Sequence, residues 1–244
     1  MEQPSLFNRL GNQLYKLAYP IYRPVYSGFK AYADRAERAL LREHLRPGMV
    51  VVDAGANIGI YSRFIARLVA PGGTVHSFEP SPENFRRLRE ATAGTADIVA
   101  RQMAVGDATK EIFLYVSESL NVDHRTYDTG GEARDRIAIQ STSLDDYFPP
   151  GTKVDFMKMD IQGFEHHALR GAQRVLQENP RIKLLLEYWP YGLAAAGVKP
   201  SALRALLAGM GFRISILGEG PADFPPDDAA SDPHWYRNLF ARRE

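Results

Sequence analysis

Apolar and polar positions along this chain follow two alternating rhythms. Residues 49–53 are a short continuous apolar run, the pattern of a strand buried on both faces. Residues 58–69 carry Ile58, Tyr61, Ile65 and Leu68 on one helical stripe. A second strand is expected over 74–78. Ser81 and Pro82 then suit the N-cap and first position of a helix. Strands are expected over 98–105 and 111–116. Residues 117–136 are polar and aperiodic, a loop, and a short strand at 137–140 and a helical turn at 144–147 follow it. Beyond a strand at 154–159, the residues Phe164, Ala168, Ala172, Val175 and Leu176 lay out one helical stripe. Residues 182–188 read as another buried strand. Leu203, Leu206, Leu207 and Met210 form the next helix, which Gly211 would cap. Residues 213–217 and 235–240 are closing strands flanking an acidic, Pro-rich loop at 219–232. Strands alternating with helices predict an α/β fold: a mainly parallel sheet, helices on both faces, and an antiparallel edge from the last two strands.

Residues 1–48 precede this alternation and read as a helical lead-in, with 49–244 as one domain. Leu6, Leu10 and Leu14 recur every fourth residue, beside Phe7 and Leu17. Pro20 and Pro24 are expected to break that stretch, and Asp34 with Glu37 to start a second helix as a capping box, ending near Pro47-Gly48. The segment holds eight Lys/Arg against four Asp/Glu. It reads first as a helix packed on its own domain, with a substrate lid, a dimer arm or a membrane-surface helix as the alternatives.

Composition narrows the function classes. With 244 residues, 45% of them hydrophobic and 24% charged, the chain is long enough for a real core. A net charge of +1 gives no global field for nucleic acid, so none is expected as a partner. Cys is absent, which removes disulfides, thiolate nucleophiles and Cys-ligated zinc. No apolar run reaches the ~18–20 residues that span a bilayer. Asn8, Arg9, Asn12 and Lys16 interrupt what would be a signal-peptide core. A soluble, cytoplasmic protein is expected, with a homodimer as an open alternative.

The sharpest local signal is Asp53-Ala54-Gly55-Ala56-Asn57-Ile58-Gly59, where the first strand meets its helix. Small residues there let a ligand approach the backbone, and the helix start presents free N–H groups. Asn57 stands where a dinucleotide fingerprint needs Gly. Glu79 ends the second strand in Phe78-Glu79-Pro80, where an acid of a doubly wound sheet reaches ribose hydroxyls.

Together with Ala104-Val105-Gly106-Asp107 and Lys158-Met159-Asp160-Ile161-Gln162-Gly163-Phe164-Glu165, these two segments resemble the FkbM family. The resemblance covers about residues 48–217. It implies the class I methyltransferase fold, a Rossmann-like sheet, and methyl transfer from S-adenosyl-L-methionine, typically to hydroxyl oxygens. It further implies that Asp53, Gly55, Ala56, Asn57 and Gly59 frame the methionine part of the cofactor. Glu79 would hold the ribose, and Ala104, Val105 and Asp107 would lie near the adenine. Asp160 would face the sulfonium and the acceptor. Gln162 departs from the family, which often carries Glu there.

An alcohol acceptor has to lose a proton as it is methylated. Asp160 and His124 are the two candidate bases. In the polar loop, Asp123 is a candidate to orient His124 and Arg125 to clamp an anionic acceptor, with a solvated surface turn as the other reading. Glu187 and Tyr188 end the next strand and are candidates for the acceptor pocket, with a packed core-edge pair as the other reading. No metal is expected, since Asp160 and Glu187 offer only two acids and His166 and His167 lack i,i+4 spacing; solvated helix positions are expected for both histidines. The expected reaction is O-methylation of a small-molecule, sugar or lipid-like acceptor. N-methylation, a nicotinamide-dependent dehydrogenase and a non-catalytic cofactor-binding protein are the competing readings.

Overall fold

The computed structural model describes residues 15, 18–116, 124–127, 135–218 and 232–244. The Leu6–Leu10–Leu14 stripe, Asp123, most of the polar loop and nearly all of the acidic loop lie outside these residues.

Seven strands form the main sheet: β1 (Val50–Ala54), β2 (Thr74–Phe78), β3 (Ile98–Arg101), β7 (Phe156–Met159), β8 (Lys183–Tyr188), β9 (Arg213–Ile216) and β10 (Arg237–Arg242). Their order is β3-β2-β1-β7-β8-β10-β9. β1 pairs in parallel with β2 on one side and β7 on the other. The chain therefore leaves β1 in one direction and returns on its far side. This creates a topological switch point, with a crevice at the carboxyl ends of β1 and β7. β10 runs antiparallel to both β8 and β9, one place in from the sheet edge.

The strand expected over 98–105 is two strands. After Arg101 the chain turns at Gln102-Met103, and β4 (Ala104–Val105) joins a separate three-stranded sheet with β5 (Lys110–Val116) and β6 (Asp135–Thr142). The single helix expected over 164–176 is also two, α6 (Glu165–Arg170) and α7 (Gln173–Glu178). A Cβ on the intervening Gly171 would lie 2.1 Å from the Gly106 carbonyl oxygen. The chain at that point packs directly onto the loop after β4.

The remaining helices are α1 (Tyr19–Ala33), α2 (Arg35–His44), α3 (Ile60–Val69), α4 (Pro82–Thr92), α5 (Leu144–Tyr147), α8 (Pro190–Ala195) and α9 (Pro200–Gly209). α8 had no counterpart in the periodicity reading. Pro20 and Pro24 do not break α1: Pro20 sits in its first turn and Pro24 inside it. Pro24 removes one ladder hydrogen bond, but Tyr19 and Tyr22 are buried with Tyr15 against Ile58, and that packing holds the helix. The Asp34–Glu37 capping box does not form. Asp34 occupies the N-cap of α2, yet its carboxylate pairs with Lys30 at 2.7 Å and accepts from Tyr61 Oη at 2.9 Å. α2 packs through Leu40 and Leu41 into the apolar cluster of Val51, Ile65 and Leu185. Among the described residues no helix is long and apolar enough to cross a membrane.

Candidate functional site

A cavity of about 610 Å³ opens over the carboxyl ends of β1, β2 and β7, within the size range of small-molecule sites. The turn after β1 forms one wall. Gly55 there has φ +78°, and a Cβ on it would lie 1.9 Å from the Asp160 carbonyl oxygen. Only glycine satisfies both the left-handed backbone and the contact with the end of β7. Asn57 also has positive φ, and its side-chain oxygen accepts from the Ile58 amide at 2.7 Å.

Glu79 is buried at the end of β2, with its carboxylate at the cavity wall. One oxygen accepts the Asn57 amide at 2.8 Å and the other the Ser81 amide at 2.9 Å. Burial pushes its pKa up to about 7, against the lowering effect of those two amides and of the Asn84 side chain. Glu79 shares the wall of this cavity with Met103, Ala104, Val105 and Phe164. An anchored acid beside an apolar slot fits a nucleoside: the acid takes the ribose hydroxyls and the slot takes the base.

Of the residues expected to bind cofactor or acceptor, Gly55, Ala56, Asn57, Glu79, Ala104, Val105, His124, Arg125, Asp160 and Glu187 line this one cavity. Four described residues do not. Asp53 is fully buried beneath the turn, where it accepts from Ser62 Oγ at 2.7 Å and faces Lys158 Nζ at 3.5 Å. Its role there is to anchor the turn from below. Gly59 precedes α3 and packs against Leu88 of α4. Asp107 points to Lys110 at 3.0 Å. Tyr188 is fully buried in the main core and stands edge-on to Trp235 at 6.1 Å. Adjacent strand residues face opposite sides, so Glu187 and Tyr188 cannot share the cavity; the core-edge reading holds for Tyr188. The expected solvated positions of His166 and His167 are also revised. Both are partly buried, and His167 stacks on Phe164 at 4.2 Å between ring centroids.

Further ionisable groups of the cavity are concentrated at the ends of β7 and β8. Gln162, at φ +57°, donates from Nε2 to Asp160 Oδ1 and to Glu187 Oε2, each at 3.1 Å. Burial raises the Glu187 pKa well above the ordinary carboxylate range, and the Asp160 and Glu165 charges add to it. Glu165 behind them is fully buried, accepts the Ile161 amide at 2.9 Å, and is pushed up to about 8, chiefly by burial. Lys158 Nζ lies 3.9 Å from Asp160 Oδ2 and 4.8 Å above the Tyr61 ring. From the polar loop, Arg125 exchanges backbone hydrogen bonds with Tyr115 and lies 5.0 Å over Trp189. Tyr127 Oη donates to the Gln162 carbonyl at 2.6 Å. α1 closes the cavity with Tyr26 and Lys30.

Sequence reasoning gave no role to Lys158, Gln162, Tyr26, Lys30 or Trp189. For Lys158 a signal existed: it is a charge inside a strand expected to be buried. Gln162 and Trp189 stood beside the named Asp160 and Tyr188, and Tyr26 and Lys30 come from a helix distant in sequence.

Residues 53–214 match the family model described as the methyltransferase FkbM domain. The chain is 47% identical over 78 residues to the 31-O-demethyl-FK506 methyltransferase FkbM of Streptomyces tacrolimicus, a match covering 29% of this chain and 28% of that protein. It is 26% identical over 210 residues to the methyltransferase sdnD of Sordaria araneosa, covering 72% of this chain and 77% of that one. Among solved structures, a SAM-dependent O-methyltransferase from Thermotoga maritima superposes with a TM-score of 0.51 at 12% identity, over 85% of this chain and 64% of that one, a likeness of fold. The matched span runs from the end of β1 through β7 into β9, so the chain belongs to the FkbM family of S-adenosylmethionine-dependent methyltransferases.

Proposed function

We propose that this protein methylates a hydroxyl oxygen on a small-molecule, sugar or lipid-like acceptor. The observation that carries this reading is that one cavity holds both the anchored Glu79 beside its apolar slot and the ionisable set His124, Asp160 and Glu187. S-adenosylmethionine, when bound, supplies the activated methyl group. The donor set fits it: Glu79 for the ribose, Ala104 and Val105 beside the base, and the 55–57 turn for the amino-acid end.

The protein's own contribution is positioning and proton removal. Two partners reacting in line gain most from being held in register, and the rigid turn over Asp160 supplies one fixed wall. His124 is the preferred base, because imidazole exchanges protons near neutrality. Asp160, fixed by Gln162 and Lys158, orients the acceptor and offsets positive charge near the transferred methyl. Arg125, held over Trp189, clamps an anionic group on the acceptor. The oxygen acceptor is also in keeping with the name of the Streptomyces tacrolimicus relative.

Incubation with methyl-labelled S-adenosylmethionine and fractionated cell extract, followed by product identification, tests the reading. Label in an ether or ester is expected, and its absence with Glu79→Ala. Label on nitrogen would move the assignment to N-methylation. Thermal stabilisation by NAD and not by S-adenosylhomocysteine would overturn the cofactor assignment.

A further inference from the structure

Among the described residues, Asn57 and Gln162 are the two non-glycine residues with φ in the left-handed region. Asparagine adopts that conformation readily, and the Asn57 side chain bonds back to the next amide. Gln162 has neither advantage. Its side-chain amide instead reaches away from its own turn and spans the Asp160 and Glu187 carboxyl groups, at 3.1 Å from each. The two acids therefore take their mutual placement from the direction of one side chain.

A strained backbone persists only where its surroundings over-determine it. Three contacts hold this turn. A Glu165 carboxyl oxygen accepts the Ile161 amide at 2.9 Å. Gly163 lies so close to α8 that a Cβ on it would stand 2.3 Å from the Gly192 carbonyl carbon. The Tyr127 hydroxyl donates to the Gln162 carbonyl oxygen at 2.6 Å, from 35 residues earlier in the chain. This third contact arrives with the polar-loop segment, which two backbone bonds between Arg125 and Tyr115 pin to β5. His124, Arg125 and Thr126 of that segment line the cavity, and Tyr127 stands outside the lining.

We infer that Tyr127 is a positioning residue for methyl transfer: its hydroxyl holds the Gln162 peptide in the left-handed conformation and so aligns Asp160 with Glu187. The inference rests on the role proposed above for Asp160 at the acceptor. One hydrogen bond and the strain of one left-handed residue are of the same order. Removing the hydroxyl therefore frees the Gln162 peptide to turn, and its side-chain amide then leaves one or both acids. The same segment carries His124 and Arg125, so the Tyr127 bond also keeps those two side chains in fixed register with the carboxyl pair on β7 and β8. Near-attack geometry is sensitive to such register.

Tyr127→Phe removes only the hydroxyl. Amide hydrogen exchange over residues 161–164 should quicken in this variant, while S-adenosylhomocysteine affinity by calorimetry stays unchanged, which shows that the protein is folded. Methyl transfer from saturating labelled S-adenosylmethionine into a fractionated cell extract should fall roughly threefold to tenfold, the fold-change of one hydrogen bond. Gln162→Leu, which keeps the bulk and lacks the amide, should lower transfer at least as far. The double variant should be no slower than Gln162→Leu alone, because Tyr127 acts through that amide. A merely structural tie would give additive losses, which would overturn the inference. Unchanged exchange in Tyr127→Phe would overturn it whatever the acceptor, as would normal transfer by Tyr127→Phe beside a slow Gln162→Leu, with the role of Asp160 left standing. Normal transfer by Gln162→Leu would also overturn it, and normal transfer by Asp160→Asn as well would overturn the role of Asp160 beneath it.

Discussion

Lys158 and Asp53 face one another across neighbouring strands, with Nζ 3.5 Å from Oδ1 and both side chains almost completely excluded from water. Asp53 ends β1 under the glycine turn, and Lys158 also reaches Asp160 at the end of β7. This ion pair ties the base of the turn after β1 to the end of β7. Removing one partner leaves the other charge buried and uncompensated, a loss typically of about 3–5 kcal/mol. Lys158→Met should therefore lower unfolding free energy by at least ~3 kcal/mol in urea titration. A change below about 1 kcal/mol would mean that Ser62 alone satisfies Asp53.

Gly55→Ala combines a disfavoured backbone with a collision against the Asp160 carbonyl. The left-handed backbone alone costs about 1 kcal/mol, and the main chain it strikes cannot swing aside. The variant should lose about 2 kcal/mol or more of stability and weaken S-adenosylhomocysteine binding, read by chemical unfolding and calorimetry together. Normal behaviour in both would show that the turn relaxes.

With Glu79 holding the ribose, as proposed above, cofactor affinity is expected to depend on pH. Only its ionised form offers the full set of acceptors to ribose hydroxyls, and burial holds its pKa at about 7. Affinity for S-adenosylhomocysteine should rise with pH through that value and level off above it. Glu79→Gln should remove the step and weaken binding above neutrality by roughly 1.5–3 kcal/mol. A flat profile in the wild-type protein by calorimetry would rule out the ribose role.

The same raised carboxylates set the stability of the ligand-free protein. Glu79 at about 7 and Glu165 at about 8 hold protons in the folded state that the unfolded chain has released above its ordinary value of 4.5. Folding therefore takes up protons between 4.5 and about 8, and stability falls as pH rises through that window. Glu165→Gln should flatten the fall in urea midpoints measured across this range. An unchanged slope would place the protons elsewhere.

Proton removal separates His124 from Asp160. At saturating S-adenosylmethionine, where the pH dependence from Glu79 no longer enters, His124→Ala should lower turnover about 10²–10⁴-fold. Asp160→Asn should weaken cofactor binding as well as turnover. A His124→Ala enzyme with ordinary turnover and pH profile would leave Asp160 or solvent as the proton acceptor.

Local periodicity determined much of this protein. The runs at 50–54 and 183–188 are strands because their apolar residues suit a sheet covered on both faces, and Pro82 opens α4 at its first position, although the Ser81 side chain makes no capping bond. The turn at 53–59 and the acid at Glu79 were legible because small residues and an acid at neighbouring strand ends mark a crevice wall, and Gly55, Ala56, Asn57 and Glu79 line one cavity. Even the inward placement of Tyr188 was available from the two-residue period of a strand.

Only the tertiary structure decided where these local pieces meet. It divided residues 98–105 between two sheets and kept Pro24 inside a helix, because packing of Tyr19 and Tyr22 on Ile58 outweighs one lost backbone bond. It turned Asp34 from a helix cap into a partner of Lys30 and Tyr61. It brought Gln162 between Asp160 and Glu187, and Lys158 onto Asp53. The contacts of Lys158 with Asp53, of Gln162 with Glu187 and of Tyr61 with Asp34 join elements 105, 25 and 27 residues apart. No periodicity encodes them, since they depend on which sheet edge each strand finds and on which charges the buried floor then has to neutralise.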